Sequence, residues 1–84
     1  MDELKEKRMK VLKVNHSSNI DGFEYDEDRK VLIVHYHKEG IRKSSYEYYD
    51  VMPEFFQTLV DHNGPYGAFV RNALKPYKYA KIQK

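Results

Sequence analysis

The sequence predicts an α+β fold, a small antiparallel β-meander of three to five strands with two short helices packed on one face. Apolar and polar residues alternate along several segments in the first part of the chain, as in strands with one buried face. Turn-forming segments separate these stretches. From residue 53 onward the apolar residues recur at the spacing of an amphipathic helix.

Four β-strands are predicted before that change of period. β-branched residues and alternating polarity mark them, and polar turn-forming residues and a glycine lie between them. The second strand contains Gly22, which predicts an irregularity there. Because tight turns join the last three strands, they are expected to form an antiparallel meander. The predicted strands are residues 11–14, 20–25, 30–37 and 42–51.

Two short helices and a returning strand are predicted next. Pro53 suits the first turn of a helix, and apolar residues at helical spacing follow it. Asn-Gly-Pro at residues 63–65 ends this helix and allows a second to begin. Pro76 ends the second helix. Polarity alternates again along residues 77–82, which are expected to return as an edge strand.

The third strand predicts how the two faces of the sheet are covered, because alternate side chains point to opposite faces. One face is fully apolar and is expected to hold the helices. The other is half apolar. Its cover by residues 1–14 is the favoured interpretation, and an oligomer contact is the alternative. The two sets are Leu32, Val34 and Tyr36 on the first face, and Val31, Ile33, His35 and His37 on the second.

Length and composition restrict the class of protein. The 84 residues make one domain at most, with residues 1–10 as a charged lead-in and residues 11–84 as the domain. There is no cysteine, so neither a disulfide nor a thiolate metal site is expected, and the cytoplasm is the favoured location. No signal peptide or membrane span is expected, because no apolar run approaches about 18 residues.

The charge distribution suggests an anionic partner. The net charge is only +2, but residues 11–70 hold six basic and ten acidic side chains, whereas residues 71–84 hold five basic and none acidic. A cationic end on an acidic body is typical of proteins that bind phosphate or another anion. A solvated tail that aids solubility is the alternative of equal weight.

Eight tyrosines indicate a binding surface, because each combines a flat apolar ring with a hydroxyl group. Rings along a strand can stack on bases, at about 1–3 kcal/mol per base, while lysine and arginine bind phosphate. Packing beneath the helices is the favoured alternative for Tyr46 and Tyr48, so Tyr77 and Tyr79 are the better candidates. The basic candidates are Arg42, Lys43, Arg71, Lys75 and Lys78.

The polar loop at residues 16–19 is a second candidate for binding. Ser17, Ser18 and Asn19 could offer donors to an anion, although local bonds to the turn backbone are the favoured interpretation. No metal ion or cofactor is expected. His35 and His37 share a strand face, but a zinc site needs three or four ligands.

Three segments carry a resemblance to a known family. They are Ser17-Ser18-Asn19-Ile20 with the Leu32-x-Val34-x-Tyr36 strand, the central Tyr46-Glu47-Tyr48 that runs into Val51-Met52-Pro53, and Gly64-x-Tyr66 with Tyr77-Lys78-Tyr79. In this order and spacing they resemble the KTSC domain. That family is named after a C-terminal extension of some lysyl-tRNA synthetases, and it also occurs as stand-alone proteins of bacteria and their phages.

The resemblance spans residues 14–79. It implies this small α+β fold and, through the synthetase context, RNA as a ligand. Two positions depart from the family pattern. Met52 stands where the family usually has proline, and Val70 stands where it tends to have asparagine, so any polar contact that such an asparagine would make is not expected in this chain.

These observations predict a non-catalytic module that binds nucleic acid, RNA in particular, or a nucleotide. An enzyme is not expected, because the sequence contains neither a Gly-x-Ser-x-Gly elbow nor a glycine-rich phosphate loop. Two alternatives stay open. An oligomeric phage-type protein could sequester a small nucleotide signal, or the domain could bind another protein through Val31, Ile33 and Tyr49.

Overall fold

A computed structural model describes residues 9–14, 20–38 and 41–82, with the backbone alone for residues 38 and 41–43. Five antiparallel strands lie in the order β1-β2-β3-β4-β5, and two helices connect β4 to β5. The predicted α+β fold is therefore confirmed. The elements are β1 (Met9–Lys13), β2 (Ile20–Asp26), β3 (Val31–Lys38), β4 (Ile41–Tyr48), α1 (Pro53–Asp61), α2 (Tyr66–Ala73) and β5 (Tyr79–Ile82).

Two residues with left-handed backbone conformations shape the connections around β3 and β4. Lys30 has a φ of 56° and precedes β3, and Asp50 has a φ of 60° and follows β4. The Asp26 side chain accepts the N–H of Arg29 at 3.2 Å, which supports the β2–β3 turn. The N–H of Val51 donates to the carbonyl of Lys30 at 2.9 Å. The segment that leaves β4 is thereby held beside this turn.

Gly22 allows β1 to approach β2 closely. A Cβ atom at this position would lie 2.9 Å from the backbone oxygen of Leu12, which is too close for any other residue without a shift of the backbone. The β2–β3 register also shifts between Ile20 and Gly22. The irregularity that the sequence predicts at this glycine is confirmed.

The helices begin and end where glycine and proline predict. Pro53 is the first residue of α1. Between the helices Gly64 has a φ of 121°, a backbone conformation that residues other than glycine rarely adopt. Pro65 caps the start of α2, and α2 ends at Ala73, before Pro76. No helix among the described residues is long and apolar enough to cross a membrane.

The hydrophobic core lies between the helices and one face of the sheet. The predicted face of β3 supplies Leu32 and Val34 to it. The ring of Tyr25 stacks on that of Phe56 in α1, with 5.5 Å between centroids, and its hydroxyl donates to the carbonyl of Val51. The largest side chains that are fully buried are Tyr25, Phe23, Ile20, Leu32, Leu59, Val34, Val51 and Val70.

The prediction that residues 1–14 cover the second face of the sheet is wrong for residues 9–14. These residues do not lie over the sheet, because β1 pairs with β2 and extends the sheet at its edge. The side chain of Val11 is exposed. On the second face Val31 is nevertheless buried and Ile33 half-buried. Residues 1–8 lie outside the described residues.

The hydroxyl of Tyr25 is expected to contribute strongly to stability. In Tyr25→Phe the carbonyl of Val51 loses its donor in a fully buried position, which should lower the free energy of unfolding by about 1–3 kcal/mol. Urea denaturation measures this change. Tyr49→Phe is the matched control, because within the described part of the chain that hydroxyl donates to the side chain of Glu47 and not to a buried carbonyl. Equal midpoints for the two variants would contradict this role for Tyr25.

Candidate functional site

A cleft of about 600 Å³ lies between α2 and the helix-bearing face of β3, β4 and β5. Its volume is within the range of ligand-binding pockets, about 300–1,000 Å³. We call it the tyrosine cleft. It is more open to solvent than enclosed, and four of its nine lining residues are tyrosines. The lining residues are Tyr36, Ser44, Tyr46, Tyr48, Gly67, Arg71, Leu74, Lys75 and Tyr79.

Strand pairing brings the four tyrosines together. Tyr46 and Tyr48 are two residues apart on β4 and therefore share a face, and Tyr79 lies directly opposite Tyr48 on β5. Ring centroids are 5.5 Å apart for Tyr48 and Tyr79, and 5.8 Å apart for Tyr46 and Tyr79. Tyr36 meets Tyr46 edge to face at 5.7 Å. Such edge contacts are the favoured geometry for aromatic pairs, so each ring supports its neighbour.

The four tyrosines differ in exposure and hence in what they can do. Tyr48 is 9% exposed and belongs to the core, whereas Tyr79 is 60% exposed. Tyr36 and Tyr46 are half-buried. Burial, followed by the 3.3 Å hydrogen bond with the hydroxyl of Tyr36, raises the pKa of Tyr48 well above its ordinary value. Tyr79 therefore offers a ring for stacking, and Tyr48 forms the floor of the cleft.

The helix side of the tyrosine cleft is cationic. Arg71, in the last turn of α2, and Lys75, just beyond that helix, both line the cleft and are both exposed. No carboxylate among the described residues forms an ion pair with either. Gly67, one turn before Arg71, also lines the cleft and leaves room there because it has no side chain. The spacing 67, 71 and 75 is the signal in the sequence for this side, and none of the predictions above rests on it.

Five of the predicted site residues meet at the tyrosine cleft. The other described candidates lie elsewhere. Tyr77 is half-buried and packs on Phe55 at 5.8 Å between ring centroids. Lys78 is exposed but is not among the lining residues, and its carbonyl accepts the N–H of Tyr49 at 3.0 Å. The five that meet are Tyr46, Tyr48, Arg71, Lys75 and Tyr79.

The remaining predicted site residues cannot be assigned to the cleft. Arg42 and Lys43 lie on β4, and their side chains are outside the described part of the molecule. Ser17, Ser18 and Asn19 also lie outside the described residues. Their predicted role in anion binding stays a prediction.

A second polar cluster, which was not predicted from the sequence, lies on the opposite face of the sheet. Glu24, His35 and Ser45 come from three neighbouring strands. Nδ1 of His35 is 2.6 Å from Oγ of Ser45, and Nε2 is 2.7 Å from Oε2 of Glu24. A carboxylate can only accept hydrogen bonds, so Nε2 of His35 carries a hydrogen and donates it to Glu24. In the neutral ring Nδ1 then accepts a hydrogen bond from the hydroxyl of Ser45. Only the cross-strand register brings these three residues together, as His35 directly opposes Ser45.

The order hydroxyl, imidazole, carboxylate is also that of acyl-transfer enzymes. Here, however, Ser45 is only 5% exposed. A small cleft of about 310 Å³ beside the cluster is lined by Glu24 and His35 but not by Ser45. A substrate in it would not meet the hydroxyl, so we interpret the cluster as a polar connection between strands. Among the described residues no three His, Asp or Glu side chains are grouped to hold a metal ion.

Comparison with known families decides the assignment. Residues 16–79 match the model of the KTSC domain. The chain belongs to the KTSC domain family. This confirms the resemblance drawn from its motifs. All nine lining residues of the tyrosine cleft fall within the matched range, whereas β1 precedes it.

A solved structure supports the same assignment. The chain is similar to the crystal structure of a KTSC domain protein from Yersinia pestis, with 25% identity and a TM-score of 0.72. The match covers 89% of this chain and 99% of the other. Comparison with curated proteins gives no significant match.

Stability of this KTSC domain is expected to fall at alkaline pH, partly through Tyr48. Its pKa is raised in the folded protein from the ordinary 10.0, whereas in the unfolded chain it ionises at that ordinary value. Above about pH 10 the folded state therefore binds more protons than the unfolded state, and unfolding becomes more favourable. Urea denaturation across this range should show the loss, and Tyr48→Phe should reduce its slope. An unchanged slope would contradict this role.

The cluster of Glu24, His35 and Ser45 is expected to stabilise the sheet as a unit. In His35→Ala the buried hydroxyl of Ser45 and the carboxylate of Glu24 both lose the imidazole as a hydrogen-bond partner. This change should lower the free energy of unfolding by about 1–3 kcal/mol. Ser45→Ala should lower it by about 1 kcal/mol. The double variant should lose less than the sum, because both changes remove the same bond. Additive losses in urea denaturation would show that the residues act independently.

Proposed function

We propose that this KTSC domain is a non-catalytic module that binds nucleic acid, RNA in particular, or a free nucleotide in the tyrosine cleft. The observation that carries the proposal is that one cleft is lined by an exposed aromatic ring and by two cations without ion-pair partners in the described part of the chain. These residues are Tyr79, Arg71 and Lys75.

Tyr79 has the properties of a stacking residue. Its side chain is 60% exposed, yet its ring contacts those of Tyr46 and Tyr48. A ring held by its neighbours loses little conformational entropy when a ligand binds. Stacking of a base on such a ring contributes about 1–3 kcal/mol and tolerates any base, because every base has an aromatic face.

The charges around the cleft favour phosphate. Residues 71–82 hold four basic side chains and no acidic one. Besides Arg71 and Lys75, Lys81 is exposed on β5 directly opposite Tyr46. The Lys10–Glu27 and Arg29–Asp26 ion pairs involve β1, the end of β2 and the turn that follows it, not α2 or β5. A phosphate in the cleft would therefore replace no internal ion pair, which keeps the cost of binding low.

We also propose that the protein is cytoplasmic and that it catalyses no reaction. The absence of cysteine from the sequence supports a reducing compartment. Among the described residues one serine, Ser45, contacts a histidine, and it is buried. Its burial argues against catalysis by this serine and so supports a binding role for the protein.

Fluorescence anisotropy with labelled single-stranded RNA and DNA tests the proposed function, at about 50 and 200 mM salt. Tyr79→Ala should weaken binding by about 1–3 kcal/mol. Lys75→Gln should weaken it and lower the salt dependence by about 0.7 in the log–log slope, the value for one phosphate contact on a single strand. Lys78→Gln is the matched control, because it removes the same charge from a residue outside the cleft.

Two results would contradict the proposal. One is the absence of binding by RNA, DNA and free nucleotides at about 50 mM salt, with protein shown to be folded by circular dichroism. The other is an equal effect of Lys78→Gln and Lys75→Gln, which would place the binding surface outside the tyrosine cleft.

A further inference from the structure

The two cations of the tyrosine cleft can act on one group of a ligand. Arg71 lies in the last turn of α2, Lys75 follows that helix, and both line the same cleft. Their long side chains can therefore converge on a single anionic group between them.

Charge and hydrogen-bond geometry distinguish which phosphate suits this pair. A phosphodiester inside a strand carries one negative charge, whereas a phosphomonoester carries about −1.5 to −2 near pH 7 and has three terminal oxygens. The guanidinium of Arg71 can bind two oxygens through its planar fork. The ammonium of Lys75 is a compact charge that can bind the third. The pair therefore matches a monoester in both charge and number of oxygens.

The length of the cleft points the same way. Its helix side is formed by α2 and by Leu74 and Lys75, which follow the helix. The eight residues of α2 make about 12 Å of helix. Stacked nucleotides rise about 3.4 Å each along a strand. A wall of this length contacts a few nucleotides at most, and its two cations, Arg71 and Lys75, lie at the end of the wall where α2 ends. A terminal nucleotide fits this arrangement better than a long internal tract.

We propose that the tyrosine cleft recognises a nucleotide with a phosphomonoester, either at the end of an RNA strand or as a free nucleoside monophosphate. Arg71 and Lys75 bind the monoester, and Tyr79 stacks on the attached base. This inference rests on the proposed function and narrows its ligand class, because it makes the terminal phosphate the main determinant of affinity.

The test compares one short single-stranded RNA in three forms: with a 5′-phosphate, with a 3′-phosphate, and with hydroxyls at both ends. One phosphorylated form should bind about tenfold more tightly than the form with two hydroxyl ends, a difference of about 1.4 kcal/mol. Adenosine monophosphate should compete with it, and adenosine should not. A strand end is the ligand if the phosphorylated RNA binds more tightly than the monophosphate, and a free nucleotide if it does not.

Variants connect this preference to the two residues. In Arg71→Gln, and separately in Lys75→Gln, the phosphorylated RNA should lose about tenfold in affinity, while the RNA with two hydroxyl ends should change about twofold. Lys78→Gln should leave the ratio of the two affinities unchanged. Both cleft cations are exposed, and thermal melting checks that each variant is folded.

The outcomes separate the inference from the proposed function. Equal affinity for all three RNA forms would overturn the inference and leave the proposed function intact. Competition by inorganic phosphate as strong as that by adenosine monophosphate would overturn the nucleotide part of it. The absence of binding by any nucleic acid or nucleotide would overturn both.

Discussion

The rest of the structure depends on the contact between Tyr25 and the segment that follows β4. The Tyr25 hydroxyl donates to the carbonyl of Val51, while the N–H of Val51 donates to Lys30. The same ring stacks on Phe56. One buried tyrosine thus fixes the chain where strand geometry changes to helix geometry, and it sets the position of α1 on the sheet. Because α2 follows α1 after a short turn, the helix side of the tyrosine cleft depends on this contact as well.

Much of this fold could be predicted because its determinants are local. Alternation along the strands, proline at helix starts and Gly22 within β2 each act over a few residues, and each predicted the observed element. The face of β3 that carries Leu32 and Val34 also followed from parity alone. What β1 does could not be predicted this way, because a short strand can pair at a sheet edge or cover a face with the same pattern of residues.

The site was less predictable, because it depends on register and on where helices end. The sequence places Lys75 and Lys78 three residues apart in one basic segment, yet only Lys75 lines the cleft, since the chain turns between them toward β5. The cluster of Glu24, His35 and Ser45 depends on pairing across three strands, which face parity does not specify. Charge and tyrosine content therefore indicated the right segments without identifying which side chains converge.

The two faces of β4, an interior strand of the sheet, limit how this protein can evolve. Its even-numbered residues Ser44, Tyr46 and Tyr48 line the cleft, while Ser45 between them belongs to the polar cluster on the opposite face. An insertion or deletion of one residue there would exchange the two faces, and both groups would be lost together. Substitutions on either face of this strand would disturb one of the two groups, so new specificities are expected to arise through α2 and β5, which line the cleft but contribute no residue to the polar cluster.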